Sequence, residues 1–515
     1  MNFTPWKARG CAVASGLLLA GAFPPLNWWP LVFVALVPLL LVVWMVPVKG
    51  HAFGRAFRLG WQFGFVFFTA TLWWIQHVTL PGMLALTAYL ALYPAVAMGV
   101  AGWLGVWPHE SRWTAAGKLA LVAGVWTGLE WVRSVALSGF PWNSIGVPLF
   151  DLHSARMLAE STGVIGLSGI FLVFPLVLAA IIRMRGRKSG AGLFRWTAGW
   201  ILAELLVRFA VGRGPGPELT HHKVALLQPN VTMQEKMSVD PEVQRQRYFD
   251  LVAQTDAALA SQDGDGINLV VWPESAVPGF FNEMVEGGAF SEQLKQGDFS
   301  LVTGADHEEW GKLYNSVAVM RGTTENRAIH PKVRLVPFGE FIPFRKAVPL
   351  FEKMLGGLIP LDFAAGTQLD PLRVKAQPFS IVPLVCFEDT MGNHARKFVR
   401  PEPQVLVNVT NDNWFHQSPA TEMHFANARW RAVELGRTLV RSANTGVTAI
   451  VSPEGGVQRL PSFQTGTLTG WFHTGDSRVT FYARRGDLFS QAAGALALLG
   501  CLAIWWTRRK GKSGN

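Results

Sequence analysis

Long apolar runs fill residues 11 to 212 and return once at 488 to 507, with a broadly polar stretch between them. A helix needs about 20 consecutive apolar residues to cross the hydrocarbon core of a bilayer, and the runs approach that length. The chain is therefore expected to be a polytopic α-helical membrane bundle with one polar domain set between its last two crossings. Spans are read near 11–23, 29–48, 60–77, 85–107, 118–137, 163–182, 196–212 and 488–507, eight in all. The first is short and preceded by Lys7 and Arg9, so it also resembles a cleavable secretion leader, which would leave seven.

Half the residues are apolar and 16% are charged, with 22 Trp and 34 Phe, which excludes a disordered chain. The net charge of +11 fits a nucleic-acid partner, an anionic surface or a sorting signal, and placement decides among them. When successive loops are assigned to alternating sides, one side takes Lys7, Arg9, Lys49, Arg55, Arg58, Arg112, Lys118, the 183–195 cluster and the 508–512 tail. Arg156 alone falls in the short segments of the other side, so the basic side faces the cytoplasm. The charge is a topology signal and calls for no nucleic acid. Residues 1–212 are then a membrane domain, 213–487 a polar domain outside the cytoplasmic membrane, and 488–515 the last span with a cytoplasmic tail.

Within the fifth span, Glu130 and Arg133 lie three apart on one helix face and are expected to pair, for structure or for substrate. The aromatic turn Ser138-Gly139-Phe140-Pro141-Trp142-Asn143 follows, of a kind that anchors at a membrane interface. Beyond the Gly-Pro linker at 212–217 the periodicity changes to short β-branched runs at 223–228, 267–272, 300–304, 315–321, 380–386, 404–409, 438–442 and 447–452. Helical patterns cover 241–261 and 421–437, so an α/β or α+β domain is expected.

Three residues stand at or beyond strand ends in this domain: Glu274 after INLVVWP, Cys386 closing SIVPLVC, and Lys332 in HPKVRLVPFGEFIP. The chain has three scattered cysteines, too few for a disulfide framework or zinc site, and Cys386 is the polar domain's only thiol. A free thiol is a few per cent thiolate near neutrality, so a nucleophilic Cys needs a base and a nearby positive charge. Glu274 and Lys332 supply these two functions if the fold brings them together. The spacing alone leaves open that Cys386 is core and the two charges are idle surface.

The segments VVWPESAVPG, LVPFGEFIP, LVCFEDT and NVTNDNWFHQSPATEMHFANARWRAVELGRTLVRSANTG resemble the nitrilase superfamily, in its order. FPP at 23–25, LEWVR at 129–133 and FPW at 140–142 are similar to its membrane-integral branch, the bacterial apolipoprotein N-acyltransferases. The resemblance implies an αββα sandwich, a Glu274–Lys332–Cys386 triad, and supporting roles for Glu340, Glu388, Phe387 and Trp414. It further implies transfer of an acyl chain from a phospholipid, chiefly phosphatidylethanolamine, to the α-amino group of the S-diacylglyceryl cysteine of an apolipoprotein. The site would be periplasmic, on a bacterial inner-membrane protein, with no cofactor and no metal. Three positions depart from the pattern: Phe387 where Tyr is common, Met237 where Trp is common, and His416 in place of Gly.

Residues 341–364 carry Phe341, Phe344, Leu350, Phe351, Met354 and Leu355 with Gly356-Gly357, and read either as a mobile arm or as an ordinary amphipathic helix. The histidines 221, 222, 416 and 424 make no zinc-like spacing and read as core or surface residues. Two other function classes remain: a membrane-anchored amidase or nitrile hydrolase using the same triad with water, and a transporter or receptor with an inactive nitrilase-like domain.

Overall fold

The computed structural model describes residues 4–45, 52–184, 220–261, 266–343, 345, 361–474 and 478–510. The chain divides into two compact units, Met1–Pro215 with Arg485–Asn515, and Gly216–Arg484. The expected span at 196–212, the Gly-Pro linker and most of the 341–364 arm lie outside the described residues.

The first unit is helical: α1 (Pro5–Ala20), α2 (Val37–Met45), α3 (Ala52–Leu72), α4 (Leu80–Leu90), α5 (Leu92–Leu104), α6 (Arg112–Val135), α7 (His153–Arg183) and a C-terminal helix Leu488–Lys510. Among the described residues, three stretches are long and apolar enough to cross a membrane: Leu80–Leu104, His153–Arg183 and Leu488–Lys510. This is fewer than the eight read from the sequence. Trp29–Met45 is apolar but short, α3 opens with Arg55 and Arg58, and α6 carries Lys118, Glu130 and Arg133.

Small residues let these helices approach closely, as membrane helices do when packing replaces the hydrophobic effect. A Cβ on Gly128 of α6 would lie 2.7 Å from the Gly494 Cα, and one on Gly124 2.8 Å from the Ala493 carbonyl oxygen.

The expected Glu130–Arg133 ion pair does not form, because the following loop offers both side chains better-placed partners. Arg133 donates to the carbonyls of Phe140 (2.9 Å) and Trp142 (2.6 Å) and to Ser144 Oγ (3.0 Å). Glu130 Oε1 accepts from Trp126 Nε1 at 2.9 Å and Ile145 N at 3.3 Å. The two charges thus fasten the aromatic turn 140–145 to α6.

The second unit holds two sheets. One has the order β11-β1-β2-β3-β4-β5 and the other β10-β9-β8-β7-β6. The strands are β1 Thr220–Gln228, β2 Ile267–Val271, β3 Ser300–Glu309, β4 Lys312–Arg321, β5 Thr323–Pro331, β6 Ser380–Val385, β7 Gln404–Thr410, β8 Leu439–Ala443, β9 Ala449–Val451, β10 Val457–Arg459 and β11 Gly466–Thr474. Alternate residues of each sheet, among them Val224, Leu269, Val302, Val317, Ile381, Val407 and Val440, join one buried cluster between them. Leu251 and Ala258 of helix Pro241–Ala260 pack with Ala225 and Val270 on the other face of the first sheet.

Strands β5, β10 and β11 were not anticipated, and the helix expected over 421–437 is two, Ala420–Ala428 and Trp430–Leu435. Strands β1, β2 and β3 run parallel, as do β6, β7 and β8, and β5 returns parallel to β3 through antiparallel β4. Glu274, Lys332 and Cys386 therefore all follow the carboxyl ends of strands that share a direction within their own sheet.

Candidate active site

Glu274 follows β2 in a turn that lies against β3. Gly304 N donates to the Pro273 carbonyl at 3.1 Å and Ala276 N to the Gly304 carbonyl at 3.0 Å. A side chain at 304 is excluded, since its Cβ would fall 2.5 Å from the Glu274 Cα. The turn leaves the Glu274 side chain buried, with Oε1 accepting from Asn315 Nδ2 at 2.8 Å.

Lys332 follows β5 and is 1% exposed. Its N–H donates to the Asn315 carbonyl and its own carbonyl accepts from Gly366 N, both at 2.8 Å. Lys332 Nζ meets Glu340 Oε1 at 2.8 Å, Asn315 Nδ2 reaches that same oxygen at 2.9 Å, and Val336 N donates to Glu340 Oε2 at 2.7 Å. Burial works against its charge, but Glu340, the Cys386 sulfur and Glu274 hold the ammonium well above its usual range. Asn315 is thus the hub between the two glutamates, and no feature of LYNSVAV singled it out.

Cys386 follows β6 at φ +52°, in the left-handed region that costs a non-glycine residue strain and is concentrated at functional sites. Asn408 Nδ2 holds its carbonyl at 3.2 Å. Burial and the facing Glu274 carboxylate push the thiol well above its usual value, while Lys332 and a hydrogen bond from Thr410 pull the other way. The Glu274 carboxylate and the buried Lys332 ammonium thus act on the sulfur in opposite senses.

Glu388 is fully buried and joins the two halves of this arrangement. Its Oε1 accepts from Val333 N (2.9 Å) and Arg334 N (2.8 Å), and its Oε2 from Val385 N (2.9 Å). One carboxylate thereby ties the backbone after Lys332 to the backbone before Cys386. Trp414 lies half-exposed on the turn Asp412–Phe415, Phe387 is half-buried beside the nucleophile, and Met237 is exposed. His416 sits at φ +49°, ψ −164°, backbone that favours glycine, which accounts physically for Gly at this place in the family pattern.

His424 lies in the core, inside an ion-pair network. Its Nδ1 meets Asp412 Oδ1 at 2.7 Å and its Nε2 meets Asp389 Oδ1 at 2.9 Å, while Arg441 Nε meets Asp389 Oδ2 at 3.1 Å. All four side chains are buried. Burial disfavours the imidazolium, yet the two aspartates raise His424 to about 9. Free histidine titrates near 6.5, so this stabilisation is complete below about pH 6.5 and is lost as pH rises from there toward about 9. The thermal midpoint of the wild type should therefore fall across pH 7–9, and His424→Gln should be less stable at pH 6 and lose that alkaline slope. Melting curves at several pH values test this, and an unchanged slope in the variant would refute it.

Residues 15–177 match the apolipoprotein N-acyltransferase N-terminal domain family, and residues 223–477 the carbon-nitrogen hydrolase family. The chain is 34% identical to the apolipoprotein N-acyltransferase of Geobacter metallireducens, covering 97% of this chain and 95% of that one. It is 33% identical to that of Methylococcus capsulatus, covering 98% and 97%. A solved carbon-nitrogen hydrolase from Helicobacter pylori G27 aligns with 49% of this chain and 89% of its own, at 14% identity and a TM-score of 0.36. With both halves of the chain matched and near-full-length relatives above 30% identity, the chain belongs to the apolipoprotein N-acyltransferase family.

Proposed function

We propose that this chain moves a fatty acyl group from a membrane phospholipid to the α-amino group of a diacylglyceryl cysteine in two steps, through a thioester on Cys386. The observation that carries the reading is the thiol at a strained strand end, acted on at once by Glu274 and Lys332. In the first step Glu274 takes the thiol proton as sulfur attacks the ester carbonyl, and Lys332 faces the oxyanion. The carbon–oxygen bond then breaks, and the proton on Glu274 goes to the departing lyso-lipid oxygen. In the second step the amine attacks the thioester carbonyl, Glu274 accepts a proton from nitrogen, and sulfur leaves to regain it as the thiol.

Glu340 holds Lys332, Glu388 sets the spacing of its backbone from Cys386, and Phe387 and Trp414 border the acyl group. Phosphatidylethanolamine is the proposed donor. The chain is placed in the bacterial inner membrane, with eight crossings over 1–212 and 488–515 and residues 213–487 in the periplasm, on the asymmetry of its basic residues. Both lipids are then reached from the outer leaflet without extraction, which would cost about 0.8 kcal/mol per CH₂.

The test is to incubate the purified full chain with phosphatidylethanolamine and a synthetic diacylglyceryl peptide. An acyl mass on Cys386 followed by N-acylated peptide is expected, and neither with Cys386→Ala. A Cys386→Ala enzyme that still acylates the peptide would sink the mechanism.

A further inference from the structure

Strands β3 and β4 carry two more polar side chains next to the triad. Asp306 and Asn315 are directly paired across these antiparallel strands, so their Cβ atoms lie within about 5.5 Å on one face. That face is the one turned to the second sheet, since Val302, Val317 and Val319, of the same parity, belong to the cluster between the sheets. Asn315 is 5% exposed. Its amide is oriented by the bonds that its nitrogen makes to Glu274 and Glu340.

Asn315 Oδ1 and Asp306 Oδ1 are both buried, and neither has a hydrogen-bond donor among the described residues. Two paired acceptors without donors beside the Glu274 carboxylate are costly unless a ligand supplies the protons. The charges around them have a matching sign. Asp306 faces Glu274 and Glu340, Lys236 approaches from the short helix Met233–Lys236, and the nearby Ser275 hydroxyl favours the ionised carboxyl. Counting Glu274, Glu340 and Asp306 against Lys332 and Lys236, this group carries one negative charge in excess when its carboxylates are ionised.

We infer that Asp306, with Asn315 Oδ1, forms the subsite that receives the ammonium of the acyl acceptor. The inference rests on the two-step reading above. A phospholipid ester brings no ammonium to its reacting end, whereas the acceptor's reacting end is itself one near neutrality, with a pKa of about 8. The subsite therefore serves the second step only. The ammonium donates to the two free oxygens, releases one proton to solvent, and presents its lone pair to the thioester carbonyl while Glu274 takes the proton lost on attack. Asp306 is pushed up to about 6, chiefly by burial, so it is ionised at the pH where the acceptor is still charged.

The experiment uses the full chain in phosphatidylethanolamine nanodiscs, first charged as the thioester and then discharged with either the diacylglyceryl peptide or hydroxylamine, which is neutral at pH 7.5. Asp306→Asn should charge at the wild-type rate and discharge normally to hydroxylamine. Its KM for the peptide should rise about tenfold or more with little change in kcat, as loss of a charged hydrogen-bond partner implies. Asp306→Glu should recover part of that loss. An unchanged peptide KM would overturn the assignment. So would charging, hydroxylamine discharge and peptide discharge falling together, which would make Asp306 a support of the triad. A wild-type enzyme that never carries a thioester would instead defeat the two-step reading, and the subsite with it.

Discussion

Lys332→Met is expected to slow thioester formation on Cys386 by about a thousandfold or more, the scale on which positioned charges and proton-transfer groups act in active sites. The effect follows from the balance around the sulfur. Burial and Glu274 both raise the thiol, and among the opposing groups Lys332 supplies a full positive charge. Removing it leaves the thiol facing a carboxylate, and each further pKa unit costs a factor of ten in thiolate. Its fold should survive, because Glu340 keeps its bonds from Asn315 Nδ2 and Val336 N. Rapid-quench mass spectrometry of the acyl-enzyme measures the rate. Wild-type charging in Lys332→Met would exclude the residue from the chemistry.

The candidate trio Glu274, Lys332 and Cys386 could be picked out in the sequence because each member closes or follows a distinctive run. The strands before Glu274 and Cys386 were legible because β2 and β6 are buried on both faces and read as continuous apolar stretches. Strand β5 escaped notice for the opposite reason. Largely polar, TTENRAIHP lies at the edge of its sheet, and its burial alternates without an apolar run. Strand β11 likewise forms the other edge, with Gly470 packed against Ile450 and Gln458 of the second sheet.

Long-range polar contacts were the harder class. Asn315 becomes a hub only when the turn after β2 and the loop after β5 converge on it, residues 41 and 25 positions away in the chain. His424 reads as an ordinary helical histidine until Asp389 and Asp412 close on its two nitrogens, and Gly446 makes room for the second. A Cβ there would sit 2.1 Å from Asp412 Oδ2. In α6, the spacing of Glu130 and Arg133 correctly placed them on one helix face and misassigned their partners. Helical periodicity reports only neighbours on the same helix, and the loop 140–145 competes with them.

Glu388→Ala should be the most damaging single change outside the trio, lowering stability by about 3–5 kcal/mol, as for removal of one member of a buried charged network. The carboxylate is fully buried and holds three backbone N–H groups, with His394 Nε2 3.2 Å from Oε1. Alanine strands all three donors and opens a cavity between the Lys332 loop and the start of the nucleophile turn. Glu388→Gln separates folding from positioning. Its single carbonyl oxygen keeps Val333 N and Arg334 N, but its amide nitrogen turns a donor toward Val385 N, so the turn before Cys386 loses its anchor while the core stays filled. Thioester formation in this variant should fall by roughly 10²-fold, the penalty of about an ångström's misplacement, with a smaller loss of stability than in Glu388→Ala. Acid titration gives an independent reading. Burial raises Glu388, but His394, His330 and Lys332 together bring it down to about 2. The stabilisation is therefore present above the unfolded value of about 4.3 and disappears as pH falls from there toward 2. Wild type should lose stability steeply across that window and Glu388→Gln less so. Equal acid slopes with equal charging rates would show that this carboxylate neither braces the loop nor sets the spacing of Lys332 from Cys386.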